Sequence, residues 1–126
     1  MAPTEMAEID GIWIVKAGVF GAPDAQTQGG AIAIENGRIV GGDNVLAYIG
    51  ECQVIGTELT GSLHVIRHGD PEYATFFGSK DDEYKVDFVG ERLSRDYYEG
   101  RLKVRPGVEG RMFMRRLLDL PARKLS

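Results

Sequence analysis

Short apolar runs, broken by glycine-containing turns at intervals of about ten residues, limit the fold of this chain more than any other feature. The clearest turn is Asn36–Gly37, which follows the apolar run Gly29–Glu35. Both turn residues tolerate the positive φ of a type I′ turn, so this dipeptide predicts a tight β-hairpin. No stretch sustains the periodicity of an amphipathic helix. The pattern therefore predicts an all-β protein.

Eight strands account for most of the sequence, and we predict them at residues 11–19, 29–35, 38–40, 45–54, 57–67, 84–89, 97–104 and 111–118. Apolar and polar residues alternate in several of them, which indicates one buried and one solvated face. An open eight-stranded sheet would expose its apolar face and leave two edges unpaired. The connections look like local hairpins, so an eight-stranded antiparallel, lipocalin-like up-and-down barrel is favoured over a two-sheet sandwich.

The length of 126 residues, 43% of them hydrophobic, fits one soluble domain with its own core. We expect a flexible N-terminal segment at residues 1–9, a single barrel domain at 10–120 and a C-terminal tail at 121–126. Several of the 17 glycines, including Gly50, Gly61 and Gly100, fall inside predicted strands. At such positions a curving sheet or a close backbone contact excludes a side chain, so they support a small, curved barrel.

The net charge of −4 argues against nucleic-acid binding, which requires a clustered basic surface. Arg101, Lys103 and Arg105 alternate along one strand and predict a solvated strand face. The first ten residues lack the features of a signal peptide, and no segment is apolar enough to span a membrane. Because Cys52 is the single cysteine, no disulfide forms within the chain. We therefore expect a cytoplasmic protein.

Sequence patterns that indicate catalysis or metal binding are missing. The chain has no G-x-S-x-G, HExxH or CxxC motif and no phosphate-binding glycine loop. His64 and His68 would lie about 13 Å apart on a strand, so they share a metal only if the chain bends sharply near Arg67. Cys52 lies within a strand, where a small packed side chain is the default. We expect no enzymatic activity, no cofactor and no metal site.

Three consecutive acidic residues, Asp81, Asp82 and Glu83, form the candidate partner-binding site. Their side chains alternate in direction, which is more typical of a solvated charged segment than of a catalytic carboxylate pair. Two interpretations remain open: an ordinary loop edge, or a recognition patch for a basic protein.

The inward-facing positions of the strands define a second candidate site, the interior of the barrel. It is lined by Leu63, Val65, Val86, Phe88 and Leu102. This interior is either a filled core, which is favoured, or a cavity for a small apolar ligand. A lipocalin-like carrier or sensor of such a ligand is therefore the alternative function.

Four apolar side chains fall on the outward or ambiguous phase of their strands: Ile12, Ile14, Ile66 and Phe113. Exposed apolar residues in a group are typical of protein interfaces, so we expect a homodimer that covers them.

Several segments together resemble the GrlR-type negative regulators of type III secretion and their uncharacterised relatives: residues 10–13, 37–43, 48–50, 59–68 and 76–78. The resemblance implies an eight-stranded, lipocalin-like barrel that forms homodimers. It also implies a non-enzymatic role in which the protein binds and restrains a transcriptional activator through an acidic four-residue motif. The most similar segment here is Lys80–Glu83, which begins with lysine instead of an acidic residue.

Overall fold

The computed structural model describes residues 8–19, 28–69, 83–105 and 108–120. The strands form a closed barrel in which each pairs with its neighbour in sequence and the last pairs with the first, all antiparallel. They are β1 (Gly11–Val19), β2 (Gln28–Glu35), β3 (Arg38–Gly42), β4 (Leu46–Ile55), β5 (Glu58–Arg67), β6 (Glu83–Ser94), β7 (Tyr97–Arg105) and β8 (Val108–Leu118). The predicted eight-stranded antiparallel barrel is confirmed.

The strand ends differ from the predicted ones mainly around glycines. β6 continues beyond Val89 to Ser94, because Gly90 pairs with Gly100 and the alternation of buried and exposed residues resumes after it. β8 begins at Val108, three positions before the predicted start at Arg111. The hairpin at Asn36–Gly37 is confirmed, with φ angles of 53° and 81°. Both angles are positive, as a type I′ turn requires.

Inward-facing side chains of all eight strands fill the barrel. Large apolar residues such as Trp13, Tyr98, Leu59 and Val65 are at most 2% exposed. Outward positions on β5 to β8 carry mostly polar side chains, as on β6, where Lys85 and Asp87 alternate with buried Val86 and Phe88. This alternation fixes the register, because a shift of one residue would turn the core side chains into solvent.

Glycines at inward positions allow the strands to bend sharply around so small an interior. A Cβ atom added to Gly100 would overlap the carbonyl oxygen of Val89 and lie 2.6 Å from the Cα atom of Gly90. A Cβ atom on Gly61 would lie 2.5 Å from Cζ of Phe88. These glycines therefore permit close backbone approach and leave room for the large core rings.

We expect the substitution Gly100→Ala to lower the free energy of unfolding by about 3 kcal/mol, because the added methyl group meets backbone atoms that cannot rotate away. Gly56→Ala provides the comparison. Gly56 has a φ of +63° but open space around its Cβ position, so its substitution should cost only about 1 kcal/mol. Urea denaturation measures both losses, and equal losses would contradict the role assigned to close packing at Gly100.

One end of the barrel is closed by Arg116, whose side chain is 4% exposed. Its guanidinium lies 4.4 Å from the centre of the Trp13 ring and donates hydrogen bonds to the carbonyl oxygens of Glu8 (2.5 Å) and Asp10 (2.6 Å). It also donates to Oδ1 of Asp96 at 2.8 Å. This one side chain thus joins β8, β1, the N-terminal turn and the β6–β7 connection.

Glu8 and Ile9, the last residues of the segment predicted to be flexible, pack against the barrel as an N-terminal turn, and residues 1–7 lie outside the described residues. Glu8 and Ile9 are helical, and Ile9 is fully buried. The indole Nε1 of Trp13 donates a hydrogen bond to the carbonyl oxygen of Ile9 at 2.9 Å. The ordered domain therefore extends at least to Glu8, since Ile9 fills the end of the core. The predicted tail, residues 121–126, lies outside the described residues.

We expect Arg116→Met to lower the free energy of unfolding by about 2–4 kcal/mol, because methionine still covers Trp13 but leaves the carbonyl groups of Glu8 and Asp10 without their donor. The matched control is Arg115→Met, one residue earlier on the exposed face, which should change stability by less than about 0.5 kcal/mol. Denaturant titration of the two variants tests this, and a similar loss in both would contradict it.

Candidate functional site

Gly41 and Gly42 are the last residues of β3, and the turn to β4 consists of residues 43–45. Oδ1 of Asp43 accepts hydrogen bonds from the backbone N–H groups of Val45 and Leu46, each at 2.8 Å. Its Oδ2 accepts a hydrogen bond from the hydroxyl of Tyr48. Burial, followed by this hydrogen bond to a carboxylate, raises the pKa of Tyr48. Asp43 therefore holds the turn and positions Tyr48, and these contacts use both of its oxygens.

The two histidines have separate partners. The ring Nε2 of His68 lies 2.9 Å from the carbonyl oxygen of Asp43. The ring Nε2 of His64 contacts a carboxylate oxygen of Glu83 on the outer surface of β5 and β6. Among the residues that the structure describes, no group of three or more His, Cys, Asp or Glu side chains is placed to hold a metal ion.

The barrel interior contains a small apolar cavity. All five predicted interior residues line it: Leu63, Val65, Val86, Phe88 and Leu102. Its volume is about 50 Å³. A cavity of roughly 150 Å³ accommodates benzene, whereas one water occupies about 30 Å³ in the liquid. The interior therefore has room for a group of one or two non-hydrogen atoms, and a larger ligand requires side chains to move.

Cys52 lies in the wall of this cavity and is 8% exposed. Its backbone pairs with Gly61 on β5. Burial is the main cause that raises the pKa of the Cys52 thiol to about 12, with a smaller contribution from the negative charge of Asp10. A raised pKa favours the neutral thiol, and the thiolate is the reactive form. Cys52 is therefore a packed core residue and not a nucleophile.

We expect Cys52 in the folded protein to react with a thiol reagent at pH 8 at least about a hundredfold more slowly than in urea. The raised pKa lowers the thiolate fraction, and burial blocks access. A control protein carries Cys52→Ala and Thr60→Cys, because Thr60 is exposed on β5. That thiol should react rapidly without denaturant. Rapid labelling of native Cys52 would contradict its assignment to the core.

The predicted acidic site is only partly described. Asp81 and Asp82 lie outside the described residues. Glu83 is the first residue of β6, is exposed, and pairs in register with Ile66 of β5. Its carboxylate contacts His64. The structure thus places the last member of the triplet on the outer wall, beside an exposed apolar residue.

The outer surface of β1–β5 carries a continuous apolar face. In one row across the strands, Ile12 pairs with Ala33, Ala33 with Val40, and Val40 with Ile49. A second row links Ile14, Ala31, Gly42, Ala47 and Ile66. Val40 is 54% exposed and Ile49 is 49% exposed. We call this surface the outer apolar face: Ile12, Ile14, Ala31, Ala33, Val40, Ala47, Ile49 and Ile66.

Three of the four predicted outward apolar residues, Ile12, Ile14 and Ile66, lie in the outer apolar face. Phe113 lies on β8, outside this face and opposite Lys16 and Glu99. The sequence analysis missed Val40 and Ile49. The turn at Asn36–Gly37 could have predicted that Val40 lies in this face, because the turn sets the pairing of Ala33 with Val40. The pairing of Val40 with Ile49 depends on the longer β3–β4 connection.

Comparison with known proteins finds no matching family model and no matching curated protein. The resemblance to the GrlR-type regulators therefore stays a prediction. In the described ranges of the chain, no helix has both the length and the apolar character needed to cross a membrane.

Proposed function

We propose that this protein is a non-enzymatic regulator that acts in the cytoplasm by protein–protein binding, like the negative regulators of type III secretion that it resembles. The outer apolar face is the observation that carries the proposal. An exposed, contiguous apolar surface on a small protein is typical of a binding site for another protein. The nearly filled interior supports a role for the outside of the barrel over the alternative role as a ligand carrier.

A second copy of the same chain is the proposed occupant of the outer apolar face. This face contains no charged side chain, so it offers nothing that would select a charged partner. Its alanines lie on β2 and β4, on either side of Val40 on β3, and a two-fold dimer would bring the same face of both copies together. Five strands about 4.8 Å apart span roughly 19 Å. That width suits the apolar centre of an interface that buries about 800 Å² on each partner.

The acidic triplet then serves a different partner, a transcriptional activator or another basic protein. Glu83 stands at the β5–β6 margin of the outer apolar face, where it pairs with Ile66. Asp81 and Asp82 precede it directly in the sequence. A row of like charges beside a dimer contact raises the rate at which a basic partner associates and helps to orient it.

We expect Ile49→Asp to weaken the dimer by about 30-fold or more, because a carboxylate would be buried in an apolar contact. The control is Ile55→Asp on the same strand, since Ile55 is 60% exposed and lies outside the outer apolar face. Light scattering coupled to size exclusion measures the mass, and thermal unfolding checks the fold. A wild-type monomer at high concentration, or an undisturbed Ile49→Asp dimer, would exclude this interface.

A further inference from the structure

A group of basic side chains surrounds Phe113 on the outer surface of β1, β7 and β8. Within β8, Arg111 and Arg115 lie two positions before and after Phe113 and therefore on the same side of the sheet. Lys16 of β1 is the register partner of Phe113. We call this surface the basic face: Lys16, Arg101, Lys103, Arg111, Phe113 and Arg115.

Most of the charged side chains on the outside of β4, β5 and β6 are acidic, and β6 borders the basic face directly, where Asp87 pairs with Lys103. Outward positions on β4, β5 and β6 carry Glu51, Glu58, Glu83, Asp87 and Glu91, with Lys85 as the single cation among the described outward side chains there. The chain as a whole has a net charge of −4. The basic face is therefore a local concentration of positive charge on an acidic protein.

Like charges also meet directly within the basic face. Arg101 of β7 pairs in register with Arg111 of β8. Like charges opposite each other on neighbouring strands lower the stability of a sheet. The two guanidinium groups concentrate positive charge at this point of the basic face.

The acidic residue nearest to Phe113 in the register already has a hydrogen-bonding partner. Glu99 pairs with Phe113 across β7 and β8, and its Oε1 accepts a hydrogen bond from the hydroxyl of Tyr97 at 2.9 Å. The Tyr97 ring lies 6.5 Å from the Phe113 ring. The centre of the basic face is thus aromatic and half-buried, while its outer positions are cationic.

We propose that the basic face docks an extended acidic polypeptide segment. Outward side chains on a strand recur about every 7 Å, so Arg111 and Arg115 flank Phe113 at the spacing of alternate residues in an extended peptide. A segment with carboxylates at positions i and i+4 and an apolar side chain at i+2 presents all three on one face, so its acidic groups would lie against the arginines and Lys16. Its apolar side chain would contact Phe113.

A polypeptide fits this surface better than single-stranded nucleic acid. Binding of unpaired bases relies on aromatic rings whose flat faces are open for stacking. Here Phe113 is only half-exposed, and its ring is tilted by 43° against that of Tyr97.

The experiment uses the full chain and a fluorescein-labelled peptide with the repeat Glu-Ser-Leu-Ser, which places glutamate and leucine in turn on one face of an extended chain, measured by fluorescence anisotropy. A matched peptide has glutamine in place of glutamate. The test variant is Lys16→Glu with Arg115→Glu. The control variant is Arg38→Glu with Lys85→Glu, which changes the net charge by the same amount at exposed outward positions away from the basic face. Circular dichroism and the elution volume confirm that both variants fold.

We expect the test variant to bind the acidic peptide about tenfold more weakly than the wild type, and the control variant to bind within about twofold of it. Added salt should weaken wild-type binding, and the glutamine peptide should not bind. Equal losses in both variants, or equal binding of the two peptides, would overturn the proposal. Tighter binding of an oligothymidine strand than of the acidic peptide would also overturn it. Self-association of the wild type that the test variant abolishes and the control variant retains would overturn it as well.

Discussion

The contact of Arg116 with Trp13 holds the first and last strands of the barrel together, and the barrel depends on that closure. A buried guanidinium is stable only when its donors are satisfied, and here carbonyl groups of the N-terminal turn and Asp96 accept them. Trp13 also meets the ring of Tyr98 edge to face at 5.5 Å. This cluster thus fixes β1 and β8 against each other. The described strands therefore form a closed sheet without an unpaired edge.

Closure with eight strands explains why the interior is not the favoured site. A barrel of this strand number encloses about enough space for its own side chains or for one small ligand. Here Met112, Phe88 and the other inward residues occupy nearly all of that space and leave about 50 Å³. Inward glycines tighten the curvature further. The outer wall is therefore the surface on which this barrel offers most area to another molecule.

Sequence patterns that act over a few residues were enough to predict the fold. Part of the candidate site could not be predicted, because it depends on pairing between strands that are far apart in the sequence. The Asn36–Gly37 turn and the strict alternation around Val86 and Phe88 act over a few residues, and both predictions were confirmed. The role of Arg116 was missed, because its carbonyl partner at Glu8 is 108 positions away in sequence. The outer apolar face was only partly predicted for the same reason, since it takes side chains from five strands.

The two proposed surfaces share a border on β1, but their centres lie on different strands. Ile14 of the outer apolar face pairs with Arg115 of the basic face, and Lys16 follows it at the next outward position. A dimer centred on Val40 and Ile49 would lie three to four strands away from Phe113. The stability of the dimer contact depends on buried apolar area, whereas peptide binding at the basic face depends on charge. Salt should therefore weaken acidic-peptide binding while the dimer persists, so the two interactions can be separated in one titration.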